Sequence, residues 1–221
     1  MDAILQQFFN LEVMAKSWPL IWKGFLTTLY ICAIVIPLGL GGGLVVSLAS
    51  LSGSKLLRRG TKVLIDFFRA MPPLVLLILV YSGLPFAGIN LTPMTAVALA
   101  LLLNTSSYYG EIYRAGIESV GRGQWEAARS TGLSSARTFV WVVLPQAVRN
   151  VLPDLVSNTV EVVKLTSIAS VVSMQELLYS ADMARSLTFN ASPIVLAGLM
   201  YLMLLWPAVR FLSMLEHRVG R

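Results

Sequence analysis

Where the charges fall constrains this chain more than any other feature. No charged residue occurs between Lys23 and Lys55, or between Arg69 and Glu111. A bilayer core about 30 Å thick is crossed by roughly 20 apolar helical residues, so the first run accommodates one tilted span and the second is too long for one. Two helices joined by a turn at Pro85, Gly88, Asn90 and Pro93 fit the second run. The chain has 221 residues, 56% of them hydrophobic and 13% charged, against about 25% charged in soluble domains. The predicted class is therefore an all-α polytopic membrane protein. The net charge of +6 does not point to nucleic acid, because the basic residues stand at the ends of apolar runs, as topology signals do. The single cysteine, Cys32, lies inside an apolar run, which excludes a disulfide framework and a thiol metal site and suits a small buried hydrophobe. No basic start precedes the first apolar run, so no cleavable signal peptide is expected.

Five spans are predicted, at about 20–52, 64–84, 94–115, 153–175 and 192–212, in a single domain covering residues 1–221. In the first, Pro37, Gly39 and Gly41-Gly42-Gly43 predict close helix packing, since glycine lets another backbone approach. Lys55, Arg58, Arg59 and Lys62 read as a basic loop. Counting Lys and Arg near the span ends puts that loop, Arg114, Arg122, Arg129, Arg137, Arg149 and Arg210 on one side. The tail residues Arg218 and Arg221 join them. Lys16, Lys23 and Arg185 face the other way. The N-terminus is then outside and the C-terminus cytoplasmic, and residues 116–148 form a cytoplasmic loop.

That loop contains a helix pair. Residues 124–131 favour helix, Gly132 can close one in the left-handed conformation, and Ser134 or Ser135 can cap the next. Leu144-Pro145 is expected to end or bend the second helix. Trp125, Ala127, Ala128, Leu133, Phe139 and Trp141 give the pair much apolar surface, which a groove on a partner outside this chain would bury. The alternative is that the second helix lies in the membrane interface.

No catalytic signature is present: no Gly-x-Ser-x-Gly turn, no His-Glu-x-x-His, no phosphate loop, and one histidine, His217, in the tail. The chemistry-bearing residues lie within spans. A charge near the bilayer centre costs roughly 2.5–3.5 kcal/mol, so Glu161 and Lys164 need compensation. Their i, i+3 spacing lets them pair, and Asn158 and Thr166 extend the polar character; an internal ion pair and the lining of a solute path are both open readings. In the third span Asn104, Tyr108 and Glu111 share a face, with helix–helix hydrogen bonding as the rival to solute contact. Glu111 can pair with Arg114, and Asp66 with Arg69. The solute path is expected at Asn104, Tyr108, Asn158, Glu161, Lys164 and Thr166. An ATPase-independent secondary transporter or channel accommodates these residues as well, although no inverted repeat is visible.

The segment Glu126-Ala127-Ala128, three residues, Gly132, nine residues, then Val142-Val143-Leu144-Pro145 resembles the signature of permease subunits of bacterial ATP-binding-cassette importers. Tyr113-Arg114-Ala115-Gly116-Ile117, Gly123-Gln124-Trp125, Leu144-Pro145-Gln146-Ala147 and Leu152-Pro153 resemble the polar amino-acid permeases in particular. The chain departs from that pattern in places: Val142 stands where isoleucine is usual, Arg69-Ala70-Met71-Pro72 stands for the usual Arg-Gly-Thr-Pro, Leu76 replaces a common Gln four residues after that proline, and Lys164-Leu165-Thr166-Ser167 lacks the usual acidic residue. The resemblance implies a type I importer permease fold in a bacterial inner membrane, with the helix pair as a coupling element. Glu126, Ala127, Ala128, Arg129, Gly132, Leu144 and Pro145 would then meet a cytoplasmic ATPase dimer. It also implies a second permease chain, identical or homologous, an extracytoplasmic solute-binding protein and a small polar solute. No cofactor is expected in this chain; ATP and magnesium would belong to the ATPase.

Overall fold

The computed structural model describes residues 2–219, with side chains for residues 3–214; the His217, Arg218 and Arg221 side chains of the tail lie outside the described residues. Among the described residues ten α-helices follow in order: α1 (Asp2–Phe8), α2 (Leu11–Ser50), α3 (Lys55–Ala70), α4 (Pro73–Ile78), α5 (Pro93–Glu118), α6 (Arg122–Ser130), α7 (Ser135–Thr138), α8 (Leu144–Leu165), α9 (Leu177–Thr188) and α10 (Ser192–Val219). Short π and 3-10 turns continue α4, α7 and α8. Among the described residues three helical runs are long and apolar enough to cross a membrane, Ala3–Ser50, Ser135–Val172 and Ser192–Met214, and the pair Lys55–Ala70 with Pro73–Ala87 makes a fourth if its bent halves count as one span. Helix α5 has the length, at 26 residues, but the polar run Asn104–Tyr109 dilutes its apolar character.

The expected second span is corrected. Lys55–Ala70 and Pro73–Ala87 are bent by 101°, so 64–84 is not one straight helix. Pro72 and Pro73 supply no backbone N–H, and Met71, preceding a proline, is extended at φ −77° and ψ 124°. The expected basic loop is the first half of α3 instead, started by Ser54, whose hydroxyl accepts from the Leu57 N–H at 3.4 Å.

The second helix of the pair is corrected too. Pro145 does not end it: helix runs from Ser135 through Val172, and the fourth expected span begins inside this longer run. Residues 139–143 form a π turn in which the Leu144 N–H reaches the Phe139 carbonyl. Pro145 follows directly on this π turn, whose shifted hydrogen-bond pattern accommodates the missing N–H and lets the helix run on.

Packing divides the chain into two compact units. One comprises Met1–Pro37, Pro72–Leu101 and Val160–Val209; the other comprises Leu38–Met71, Leu102–Thr159 and Arg210–Arg221. In the first unit Ile21, Leu177, Ala181, Ala197 and Met200 form a buried cluster. Cys32 is buried, as a small hydrophobe would be. In the second unit the glycines of α2 meet α5: a Cβ at Gly39 would lie 2.4 Å from the Thr105 hydroxyl, one at Gly42 2.1 Å from that of Ser106, and one at Gly43 2.5 Å from the Tyr109 Cβ. Helix packing is thus what that glycine cluster does, except at Gly41, which has open space.

Candidate coupling and transport sites

The helix pair has the predicted form. Helix α6 gives way at Thr131 to Gly132, whose φ of +88° is the left-handed conformation that glycine adopts without strain. Ser134 caps α7, its hydroxyl accepting from the Arg137 N–H at 3.4 Å. The turn is closed by side chains: the Thr131 hydroxyl donates to the Ala128 carbonyl at 2.8 Å, the Ser130 hydroxyl to that of Glu126 at 2.9 Å, and the Arg129 guanidinium to the Ser135 hydroxyl.

The expectation that its apolar surface needs an outside partner holds only in part. Trp125 packs on Phe139 with ring centres 6.3 Å apart, over the buried Val120, Val143 and Ala147, and Ala128 is buried. Those contacts fix the pair onto its own unit. What remains outward is the opposite side: Glu126, Ala127, Arg129, Gly132, Leu144 and Pro145 are exposed, and a Cβ on Gly132 would touch nothing within 4 Å. Trp141 is 76% exposed.

In the same unit, Asn104 and Tyr108 answer a need created by the two prolines. In a continued helix the carbonyls of Phe68 and Arg69 would accept from residues 72 and 73, both of which are proline. The Asn104 amide instead donates to the Phe68 carbonyl at 3.2 Å, and the Tyr108 hydroxyl to that of Arg69 at 3.3 Å. The Arg69 guanidinium lies 5.2 Å from the centre of the Tyr108 ring, a cation–π contact. The expected Asp66–Arg69 pair is absent among the described ion pairs. Glu111 does pair with Arg114, at 2.5 Å, and Arg114 also holds Glu118. The Asn158 amide nitrogen is buried and unpartnered.

In the other unit, Glu161 and Lys164 form the ion pair their spacing predicts, with side chains 58% and 51% exposed. Thr166 is buried and its hydroxyl donates to the Val163 carbonyl at 2.7 Å. Ser167 and Ser170 bond back to Lys164 and Ser167 carbonyls at 2.8 Å each.

Glu176, just past the expected span at 153–175, was missed by sequence reasoning. It is fully buried and caps α9: its carboxylate accepts from the N–H groups of Leu178 and Tyr179 at 2.8 Å each and from the Tyr201 hydroxyl at 3.2 Å. The adjacent Leu177 N–H donates to the Thr28 hydroxyl at 3.0 Å. An acidic residue immediately before an apolar helix start was the available signal.

Long apolar helices, polar groups spent within them and an outward helix pair with a glycine turn suit a polytopic membrane transport protein. Residues 36–221 match the family described as the inner membrane component of binding-protein-dependent transport systems. The chain is 36% identical to a probable amino-acid ABC transporter permease of Bacillus subtilis, YckA, across 96% of this chain and 95% of that one. It is also 36% identical to a probable glutamine ABC transporter permease of the same organism, GlnP, across 82% and 85% of the two chains. A crystal structure of an amino acid ABC transporter with histidines superposes with a TM-score of 0.88 at 34% identity, covering 95% of this chain and 98% of that one. This chain belongs to the family of binding-protein-dependent transport permeases. It is a multi-span permease subunit of an ATP-binding-cassette importer, a membrane transport component.

Proposed function

We propose that this permease carries a polar amino acid or a close derivative, and that the helix pair 122–138 is the point at which a cytoplasmic ATPase drives it. The observation that carries the coupling assignment is the two-sidedness of the pair. Trp125, Ala128 and Phe139 are held against the permease's own residues, while Glu126, Ala127, Arg129 and Gly132 face away with open space at the turn. A pair built this way transmits a push, because its inner side cannot slide while its outer side is engaged. Leu144 and Pro145 are exposed at the start of α8, the same helix that carries Glu161 and Lys164 near its other end. ATP and magnesium belong to the ATPase dimer. A second permease chain completes the path, and an extracytoplasmic binding protein delivers the solute. The N-terminus lies outside and the C-terminus in the cytoplasm of a bacterial inner membrane, as the Lys and Arg distribution favours.

The pair Glu161–Lys164 suits a zwitterionic solute. A bound amino acid would offer its ammonium to Glu161 and its carboxylate to Lys164, exchanging one ion pair for two. Their exposure leaves both groups free to do this, whereas Asn104 and Tyr108 satisfy backbone carbonyls and Thr166 bonds to its own helix. Asn158, with a buried unpartnered amide, is the remaining free polar group of the expected path. The amino-acid permeases named above and the histidine-bearing neighbour support the solute class.

Two outcomes test this reading. Gly132→Val forces a branched residue into left-handed geometry, a strain of about 1–2 kcal/mol, and Glu126→Lys reverses charge on the exposed side. Both are expected to reduce uptake and co-purification of the ATPase, by roughly 30-fold if a ~2 kcal/mol contact is lost, with membrane insertion unchanged. Normal ATPase recovery with normal uptake would remove the coupling assignment. For the solute, Glu161→Gln is expected to raise the KM for uptake about 10-fold, equivalent to ~1.4 kcal/mol, without lowering thermal stability, since exposed pairs contribute only about 0–1 kcal/mol. A fall in stability with unchanged KM would make the pair a packing device.

A further inference from the structure

Helix α3 presents three faces at about 100° per residue. One packs inward at Ile65, its single buried residue. A second is apolar and open: Leu56, Val63 and Phe67 are exposed, the first to 84%. Leu57 and Leu64 continue this arc into an apolar groove of about 570 Å³ shared with Val45 and Ala49 of α2. The third face is basic and borders the apolar one, with Arg59 at the edge beside Val63. Arg58, Arg59 and Lys62 line a cavity of about 290 Å³ whose walls also carry Asp66, Glu111, Arg114 and Glu118. Arg114 is paired with both Glu111 and Glu118. None of Arg58, Arg59 and Lys62 takes part in an ion pair among the described residues, so the cavity keeps an excess of positive charge, four cations to three carboxylates, with its unpaired cations on α3.

We propose that α3 is a binding site for an anionic phospholipid, with the headgroup phosphate held by Arg58, Arg59 and Lys62 and the acyl chains covering the apolar arc and groove. Guanidinium forks match a phosphate's oxygens in pairs, and a basic arc edging an apolar one is the pattern of a helix lying in the headgroup layer. An acidic protein surface would satisfy the cations and leave Leu56, Val63 and Phe67 bare. Topology alone calls for positive charge near a span but not for its convergence on one cavity beside an open apolar groove. The lipid occupies both.

The test uses the full transporter, purified through this chain in mild detergent, exposed to equal amounts of phosphatidylglycerol and phosphatidylcholine and weighed by native mass spectrometry. Wild type is expected to retain phosphatidylglycerol about 10-fold over phosphatidylcholine, and R58Q/R59Q/K62Q is expected to fall to near parity, because the basic residues supply the preference for a charged headgroup. R58K/R59K keeps the topological charge but loses the paired hydrogen bonds, and is expected to lose several-fold in preference with insertion intact. K16Q/K23Q, outside the cavity, is expected to keep the full preference. Equal retention of the two lipids by wild type, or an undiminished preference in the triple variant, would overturn the proposal. Displacement of phosphatidylglycerol by millimolar inorganic phosphate would overturn it as well, by making the site one for free anions.

Discussion

Glu176→Ala is expected to cost this protein more stability than any other single truncation of a polar side chain. The carboxylate is fully buried and satisfies two backbone N–H groups at the start of α9 and the Tyr201 hydroxyl of α10. Each donor left unpaired away from water costs about 1–3 kcal/mol, and loss of an N-cap side chain alone is worth about 0.5–2 kcal/mol. A total near 4 kcal/mol is expected, read as a lowered unfolding temperature of detergent-purified protein and a loss of the monodisperse peak in size-exclusion chromatography. Tyr201→Phe removes one of the three donors without opening a gap, and should cost only about 1 kcal/mol. If the two variants unfold alike, the carboxylate is not the organiser of this corner. Ser180 belongs to the same corner: a Cβ on Gly24 would sit 2.4 Å from its hydroxyl and 2.8 Å from the Glu176 carbonyl.

Gly110→Leu is the second large effect. A Cβ there would stand 2.6 and 2.9 Å from two atoms of Val46 and 3.2 Å from the Gly43 carbonyl. Its counterpart at Gly43 would stand 3.0 Å from the Gly110 backbone nitrogen. Backbone meets backbone at this crossing of α2 and α5, so no side-chain rotation relieves the clash. Overpacking costs about 1–3 kcal/mol even where neighbours can shift, and here the helices themselves must part. The buried Tyr109–Thr159 hydrogen bond, 2.8 Å long, lies beside the crossing and would be disturbed with it. Gly110→Leu is expected to yield little folded protein, whereas Gly41→Leu, with nothing within 4 Å, should insert and fold as wild type. Equal yields from the two would show that the α2–α5 crossing does not limit stability.

Much of this protein is legible in its sequence because the bilayer imposes a simple code. Length of apolar run, charge at its ends and glycine for close approach are local properties, and they located α2, α5 and α10 and the packing role of Gly39, Gly42 and Gly43. The helix pair was legible for a similar reason. Gly132 and Ser134 act on the backbone within a few residues of themselves, so their consequence does not depend on distant contacts. Local propensity failed where a break is shared between elements. Pro72-Pro73 was visible as a pair of helix breakers, yet the bend it makes between α3 and α4 depends on Asn104 and Tyr108 taking up the two carbonyls the prolines leave unserved. Those residues lie some thirty positions further along and read equally well as lining for a solute. Pro145 was misread in the opposite direction, because a π turn ahead of it absorbs the missing donor and lets the helix run on.

The sequence by itself determined that the chain is a helical membrane protein, where a short helix pair lies within it, and which polar residues had to be accounted for. Only the tertiary structure decided how they are accounted for. It assigned Asn104 and Tyr108 to the open end of α3, Arg69 to the Tyr108 ring rather than to Asp66, and Glu176 to the start of α9. It also turned Trp125 and Phe139 inward, so that the outward side of the helix pair is narrower than its composition suggests. The physical reason is the same in each case. A polar group inside a bilayer must find a partner, its type and spacing reveal that need, and only the approach of another helix reveals who meets it.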